Sequence, residues 1–114
     1  MAYEVNGETI EANEKGYLTN LDDWNEDVAK AIAAQEDIGE LTQRHWDVIN
    51  FLRDEYLNNG GKQPNIRNLV KEMQKQWDDK KVDAKSLYQL FPKSPDKQAS
   101  IIAGLPESKR KGGY

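Results

Sequence analysis

The first feature of the apolar pattern is a pair of apolar residues that bracket a turn dipeptide. Val5 and Ile10 flank the dipeptide Asn6-Gly7 near the N-terminus. This dipeptide suits a type I′ turn because both central positions of that turn need a positive φ. We therefore expect a β-hairpin from Tyr3 to Glu11, and we find no signal for a further strand.

Downstream of the hairpin, apolar residues spaced three and four positions apart predict three helices. Asp and Thr side chains cap helix N-termini, proline suits the first helical position, and glycine or asparagine often follows the last turn. The predicted boundaries are Asp22 or Asp23 to about Gln35, Thr42 to the Asn58-Asn59-Gly60-Gly61 break, and Pro64 to Asp78-Asp79.

Two shorter helices are predicted in the C-terminal third. One is capped by Asp83 and stopped by Pro92, and the other opens at Ser94-Pro95, covers Asp96 to Ile102 and ends at Gly104. Beyond Leu105-Pro106 a basic run and paired glycines favour a mobile tail. The predicted fold class is therefore mainly α (α+β), with one domain over residues 1–106 and a tail over residues 107–114.

Composition narrows the possible functions. A chain of 114 residues suits one domain, and its N-terminus lacks the basic start and apolar run of a signal peptide. No stretch approaches the roughly 20 apolar residues of a membrane span, so we expect a cytoplasmic protein that does not bind membranes. Because the chain contains no cysteine, it has no disulfide, no thiolate nucleophile and no cysteine-based metal site.

The charges are unevenly distributed along the chain. Residues 1–41 hold 11 acidic and 2 basic side chains, net −9, whereas residues 42–114 hold 9 acidic and 14 basic ones, net +5. The second and third helices form a helix-turn-helix-like pair, whose basic side chains suggest DNA binding as one alternative. These residues are Lys62, Arg67, Lys71 and Lys75. The other interpretation is an ordinary helical corner with a solvated mixed surface.

Other candidate chemistry is weak. His45 is the only histidine, and no ligand spacing accompanies it, so we expect it to pack at the start of a helix beside Trp46. The paired carboxylates lie at predicted helix ends, where the helix dipole explains those at helix starts. Gly60-Gly61 lacks the ending of a phosphate-binding loop. We therefore predict no metal and no cofactor.

A collinear series of short motifs extends from about residue 3 to residue 106. They are Glu14-Lys15-Gly16-Tyr17-Leu18, Trp24, Leu41-Thr42, His45-Trp46-Asp47, Phe51-Leu52-Arg53, Pro64, Ile66-Arg67, Leu69-Val70-Lys71, Leu87-Tyr88, Leu90-Phe91-Pro92, Pro95, Lys97-Gln98-Ala99 and Ala103-Gly104-Leu105-Pro106. This series resembles the DsrC/TusE/DsvC family. The resemblance implies a small helical protein of sulfur trafficking, with a flexible C-terminal arm that reaches into a protein partner, either dissimilatory sulfite reductase or a relay sulfurtransferase.

The resemblance also implies where the chemistry has been lost. Family members carry sulfur on a penultimate cysteine, and some have a second cysteine directly after the Lys-Gln-Ala segment. Here these positions are Gly113 and Ser100. A serine hydroxyl stays protonated near neutral pH and cannot form a stable persulfide, so no catalytic residue is expected. The residues expected to bind a partner are Ser100, Ile101, Gly104, Leu105, Pro106, Gly113 and Tyr114.

Three interpretations of the missing thiols stay open. Ser100 is an engineered replacement of cysteine, or the chain is a natural cysteine-free binding or regulatory variant, or the arm works with non-covalently bound sulfur, which no residue supports. The first functional hypothesis is a member of the sulfur-relay family that binds partners without carrying sulfur. The second is a DNA-binding regulator that uses the helix-turn-helix-like pair.

Overall fold

The computed structural model describes residues 1–107 and shows a two-stranded antiparallel sheet followed by five α-helices. The strands are β1 (Ala2–Val5) and β2 (Glu8–Glu11), and the helices are α1 (Glu26–Gln35), α2 (Gln43–Asn58), α3 (Ile66–Gln76), α4 (Ala84–Leu90) and α5 (Pro95–Ile102). The mainly α (α+β) fold class is therefore confirmed. Within this part of the chain, no helix is both long enough and apolar enough to cross a membrane.

The predicted hairpin is confirmed. Asn6 and Gly7 have φ of 52° and 83°, as a type I′ turn requires, and Tyr3 lies opposite Ile10 in the register. Side chains alternate across a strand, so one face of the hairpin is buried and packs against α1. The Tyr3 hydroxyl donates a buried hydrogen bond of 2.8 Å to the Gly16 carbonyl, which ties the hairpin to the following loop.

The predicted start of the first helix is wrong. Asn25 is the N-cap of α1, and its side-chain oxygen accepts a hydrogen bond of 2.9 Å from the backbone N–H of Val28. The two predicted caps, Asp22 and Asp23, instead belong to a short 3₁₀ turn, and Trp24 between the two elements is extended, with ψ of 138°. The indole N–H of Trp24 bonds to a carbonyl at the end of α5, which accounts for its place outside the helix.

The predicted start of the third helix is also wrong, whereas the other helix starts are confirmed. Pro64 was predicted as the first helical residue, but α3 begins at Ile66, because the side chain of its N-cap Asn65 accepts a hydrogen bond of 2.9 Å from the N–H of Asn68. Thr42, Asp83 and Ser94 are the N-caps of α2, α4 and α5. Capping hydrogen bonds therefore mark these boundaries except the start of α5, where Ser94 makes no side-chain cap bond and Pro95 takes the first helical position.

One core holds the hairpin and the helices together, and α5 contributes to it directly. Helix α5 contacts α1 and α2, and its Ala99 and Ile102 are fully buried. The largest buried side chains from the other helices surround it: Ile32, Ile49, Leu52, Leu69, Met73, Leu87 and Phe91. The C-terminal part of the described chain is therefore a core element rather than an appendage.

Candidate functional site

Helix α5 carries Ser100, the residue that the family resemblance predicts to stand in place of a second cysteine. Its side chain is only 9% exposed, and its hydroxyl donates a hydrogen bond of 2.7 Å to the Asp96 carbonyl one turn earlier. Such bonds from serine to the i−4 carbonyl are common inside helices. Ser100 is therefore satisfied within its own helix and presents little surface to a partner.

The predicted partner-binding residues fall into three groups. Ser100, Ile101, Gly104 and Leu105 are buried, and Leu105 is only 1% exposed. Pro106 is half-buried, and Gly113 and Tyr114 lie outside the described residues. Binding by these residues stays a prediction. Among the predicted residues that the structure describes, Pro106 is therefore the one that is not buried.

The end of α5 is a Schellman motif. Gly104 has φ of 71° and its N–H bonds to the Ile101 carbonyl at 3.1 Å, while the N–H of Leu105 bonds to the Ser100 carbonyl at 3.0 Å. Gly104 therefore ends the helix as predicted. The motif leaves the carbonyls of Ile102 and Ala103 without backbone donors from this turn.

Side chains from distant parts of the chain bind these two carbonyls and one more. The Trp24 indole donates to the Ile102 carbonyl, the Arg53 guanidinium to the Ala103 carbonyl, and the Gln63 amide to the Pro106 carbonyl, each at 2.8 Å. We call these three side chains the carbonyl clamp. Sequence reasoning did not assign them to the site, because nothing in the local pattern shows which carbonyls a lone Trp or Arg will reach.

The members of the carbonyl clamp also support one another. The guanidinium carbon of Arg53 lies 3.8 Å from the centre of the Trp24 ring, within the range of a cation–π interaction. Burial lowers the pKa of Arg53 from its ordinary value, although the group stays charged at neutral pH. Gly104 packs so closely on the indole that a Cβ atom there would lie 2.3 Å from Trp24 Cδ1.

An exposed ion pair lies at the last described residue. Lys15 Nζ is 2.7 Å from a carboxylate oxygen of Glu107, and both side chains remain largely in solvent. This hydrogen bond with Glu107 is the main reason why the pKa of Lys15 is raised. Surface pairs of this kind stabilise weakly, so the carbonyl clamp holds the segment more firmly than the ion pair does.

His45 lies at the start of α2, as predicted, but its aromatic contact is with Phe91. The ring centroids are 5.2 Å apart with an edge-to-face geometry. Its Nδ1 lies 3.0 Å from the backbone N of Thr42, and its Nε2 lies 3.0 Å from the Leu90 carbonyl. Burial lowers the pKa of His45, which favours the neutral ring with Nε2 as the donor. Among residues 1–107, no group of three or more possible metal ligands lies together.

The four basic residues proposed for DNA binding are exposed, and the three on α3 follow one another at four-residue steps, but carboxylates lie among them. Lys62, Lys71 and Lys75 line a groove of about 400 Å³ that also contains the carboxylates of Glu55 and Glu72. Arg67 lines a second, more apolar groove beside Val82 and Ala84. The connection between α2 and α3 spans residues 59–65, longer than the three or four residues of a DNA-binding turn. Nothing in this geometry supports the DNA-binding alternative.

The fold and the anchored C-terminal segment define a class: small α+β domains with an N-terminal hairpin and a C-terminal helix packed in the core. Comparison with known proteins assigns the family, since the model of the DsrC like protein family matches residues 4–110. The chain belongs to this DsrC/TusE sulfur-relay family.

Relatives and solved structures agree with this assignment. The chain is 46% identical over 101 residues to the sulfurtransferase TusE of Photorhabdus laumondii, covering 89% of each chain. DsrC of Allochromatium vinosum has a TM-score of 0.84 at 44% identity, covering 96% of this chain and 98% of that one. The oxidized gamma-subunit of dissimilatory sulfite reductase from Archaeoglobus fulgidus has a TM-score of 0.85 at 35% identity, with the same coverage.

Proposed function

We propose that this protein binds the partners of sulfur-relay proteins in the cytoplasm without carrying sulfur itself. The proposed partners are a relay sulfurtransferase or dissimilatory sulfite reductase, because relatives are named as TusE sulfurtransferases and as a subunit of that reductase. The observation that carries the proposal is a complete family fold in a chain without any cysteine.

Sulfur transfer through a persulfide needs a thiolate that attacks the donor sulfur and then holds it. Ser100 cannot supply this step, since a hydroxyl is not ionised near neutral pH and this one is buried in a bond to the Asp96 carbonyl. Gly113, at the other family position, has no side chain at all. The chemistry is therefore lost at both positions.

The scaffold does not show the damage expected of a decayed protein. Among the described residues, no buried side-chain nitrogen or oxygen lacks a hydrogen-bond partner, and the end of α5 is fully bonded. Buried unsatisfied groups cost about 1–3 kcal/mol each, so an unselected core would be expected to accumulate them. An intact scaffold without a carrier thiol supports a binding role such as competition with a cysteine-containing relative.

A competition assay tests this proposal. A persulfide-loaded relay sulfurtransferase transfers sulfur to a TusE relative while the purified chain is added at increasing concentration, and a parallel set uses dissimilatory sulfite reductase with a DsrC relative. We expect the chain to inhibit transfer by occupying the partner, and inhibition to weaken in a variant truncated after Glu107. Full transfer in both sets at a large excess of the intact chain would refute the proposal.

A further inference from the structure

The two carbonyls that the Schellman motif leaves without donors are bound by side chains that are far away in the sequence. The Trp24 and Arg53 donors come from outside α5, and Gly104 lies directly against the Trp24 indole. Helix ends normally leave such carbonyls to water or to the last turn. Here two large side chains and a left-handed glycine together fix the position at which the chain leaves the helix.

We infer that the carbonyl clamp is a positioning device that fixes the backbone of residues 102–106, and with it the point at which the chain leaves the domain toward a partner. This inference rests on the proposed function for its biological meaning, but its structural part can be tested without any partner. Trp24, Arg53 and Gln63 are positioning residues in this assignment, because they act through the backbone of residues 102–106.

The apolar core does not need the hydrogen bond between Arg53 and the Ala103 carbonyl in order to be buried. Ala99, Ile102 and Leu105 already fill the space between α5 and its neighbours, and each is almost fully buried. Arg53 instead brings a charge into a half-buried site, which costs free energy unless the charge is well paired. Its guanidinium is matched by one carbonyl oxygen and one aromatic face. The contact therefore fixes backbone position at a cost that an apolar residue would avoid.

The clamp extends past the end of the helix. Gln63 lies in the connection between α2 and α3, and its amide reaches the Pro106 carbonyl at 2.8 Å. Hydrogen bonds from three separate parts of the chain thus restrain residues 102, 103 and 106. Two restraints at the helix end would be enough to close the helix, whereas the third also fixes the chain where it leaves the domain.

The absence of cysteine permits a clean test of tail position. A Gly113→Cys change provides a unique thiol for a nitroxide label, and paramagnetic broadening of backbone amide signals then maps where the label spends its time. The map is compared with and without Arg53→Met, which removes the donor and the cation but keeps most of the side-chain stem. Arg44→Met is the matched control, because Arg44 lies on the same helix but stacks on Trp77, 4.3 Å from the ring centroid, and not on Trp24.

We expect Arg53→Met to spread the broadening over more of the domain surface and Arg44→Met to leave the map unchanged. If Arg53→Met does not fold, Trp24→Phe is used, since it keeps an aromatic ring in this half-buried place and removes the indole donor. An unchanged map in a folded Arg53→Met or Trp24→Phe protein would overturn the inference.

Binding provides a second readout that a purely structural role would not give. Loss of one hydrogen bond to a charged group corresponds to about a tenfold effect, so Arg53→Met should weaken partner binding about tenfold in the full chain. It should have no effect in the chain truncated after Glu107, and Arg53→Lys should restore part of the loss. Equal losses in both backgrounds would contradict the inference. If the intact chain binds no partner, the proposed function is wrong. The label map still tests whether the carbonyl clamp positions the chain, because that experiment needs no partner.

Discussion

Replacing Gly104 with alanine adds one methyl group at the point where α5 ends and the carbonyl clamp begins. Gly104 has φ of 71°, in the left-handed region that side chains disfavour. An added Cβ would lie 2.3 Å, 2.7 Å and 2.8 Å from Cδ1, Cγ and Cβ of Trp24. Neither the indole nor the glycine backbone can move freely, because the Trp24 indole N–H is bonded to the Ile102 carbonyl.

The expected loss of stability has two parts. The left-handed backbone costs an alanine about 1–2 kcal/mol, and forcing a methyl group into a packed site costs about 1–3 kcal/mol more. Gly39→Ala is the matched control, since Gly39 has φ of 82° but no atom within 4 Å of an added Cβ. Only the backbone part therefore applies there, so the two variants should differ by about 1–3 kcal/mol.

Urea unfolding followed by tryptophan fluorescence measures this difference, with circular dichroism as an independent probe of cooperativity. We expect both variants to be destabilised and Gly104→Ala to be the less stable one. Equal losses in the two variants would show that the indole does not lie against Gly104, and the packing described for the clamp would then be wrong.

Three further predictions follow from named contacts. Burial lowers the pKa of His45, so its contribution to stability is fully present above its unfolded pKa near 6.5 and is lost as pH falls below that value. Between pH 8 and pH 5, the free energy of unfolding measured in urea should therefore decline more steeply in the intact chain than in His45→Gln. A Ser100→Cys thiol should react slowly with an alkylating reagent in the native protein, because Ser100 is 9% exposed. The thiol of Gly113→Cys should react rapidly, and equal rates for the two variants would contradict the burial of Ser100. Tyr3→Phe should lower the unfolding free energy by about 1 kcal/mol, because the Gly16 carbonyl loses its donor; an unchanged urea midpoint would count against that bond.

The hairpin and the order of the helices could be predicted because their signals are local. Asn6-Gly7 requires a positive φ at two consecutive positions, and the apolar spacing of α2 and α3 follows the helical period. The starts of α1 and α3 were mispredicted for a local reason too. Near both starts the sequence offers two possible helix-start residues, an asparagine (Asn25 or Asn65) and a nearby aspartate or proline. The structure shows which one caps the helix, because only there does the side chain form the capping hydrogen bond.

The site could be predicted only in part, because its contacts are long-range. The family resemblance pointed to Ser100 and the residues after it, but it did not show that Ser100 to Leu105 are buried. Trp24 and Arg53 lie 78 and 50 positions from the carbonyls that they bind. No periodicity or motif spacing encodes a pairing at such distances. The end of α5 at Gly104 was predicted, whereas the contact of Gly104 with Trp24 was not.

The central claim is that this chain docks to a sulfur-relay partner but cannot accept sulfur. Native mass spectrometry of the chain mixed with a persulfide-loaded relay sulfurtransferase or sulfite reductase tests both halves at once, with Gly113→Cys as the comparison. We expect a complex with the intact chain, whose own mass is unchanged after dissociation. We also expect Gly113→Cys to gain one sulfur atom from the sulfurtransferase, whose persulfide becomes a thiol. A gain of sulfur by the intact chain, or no complex with either partner, would contradict it.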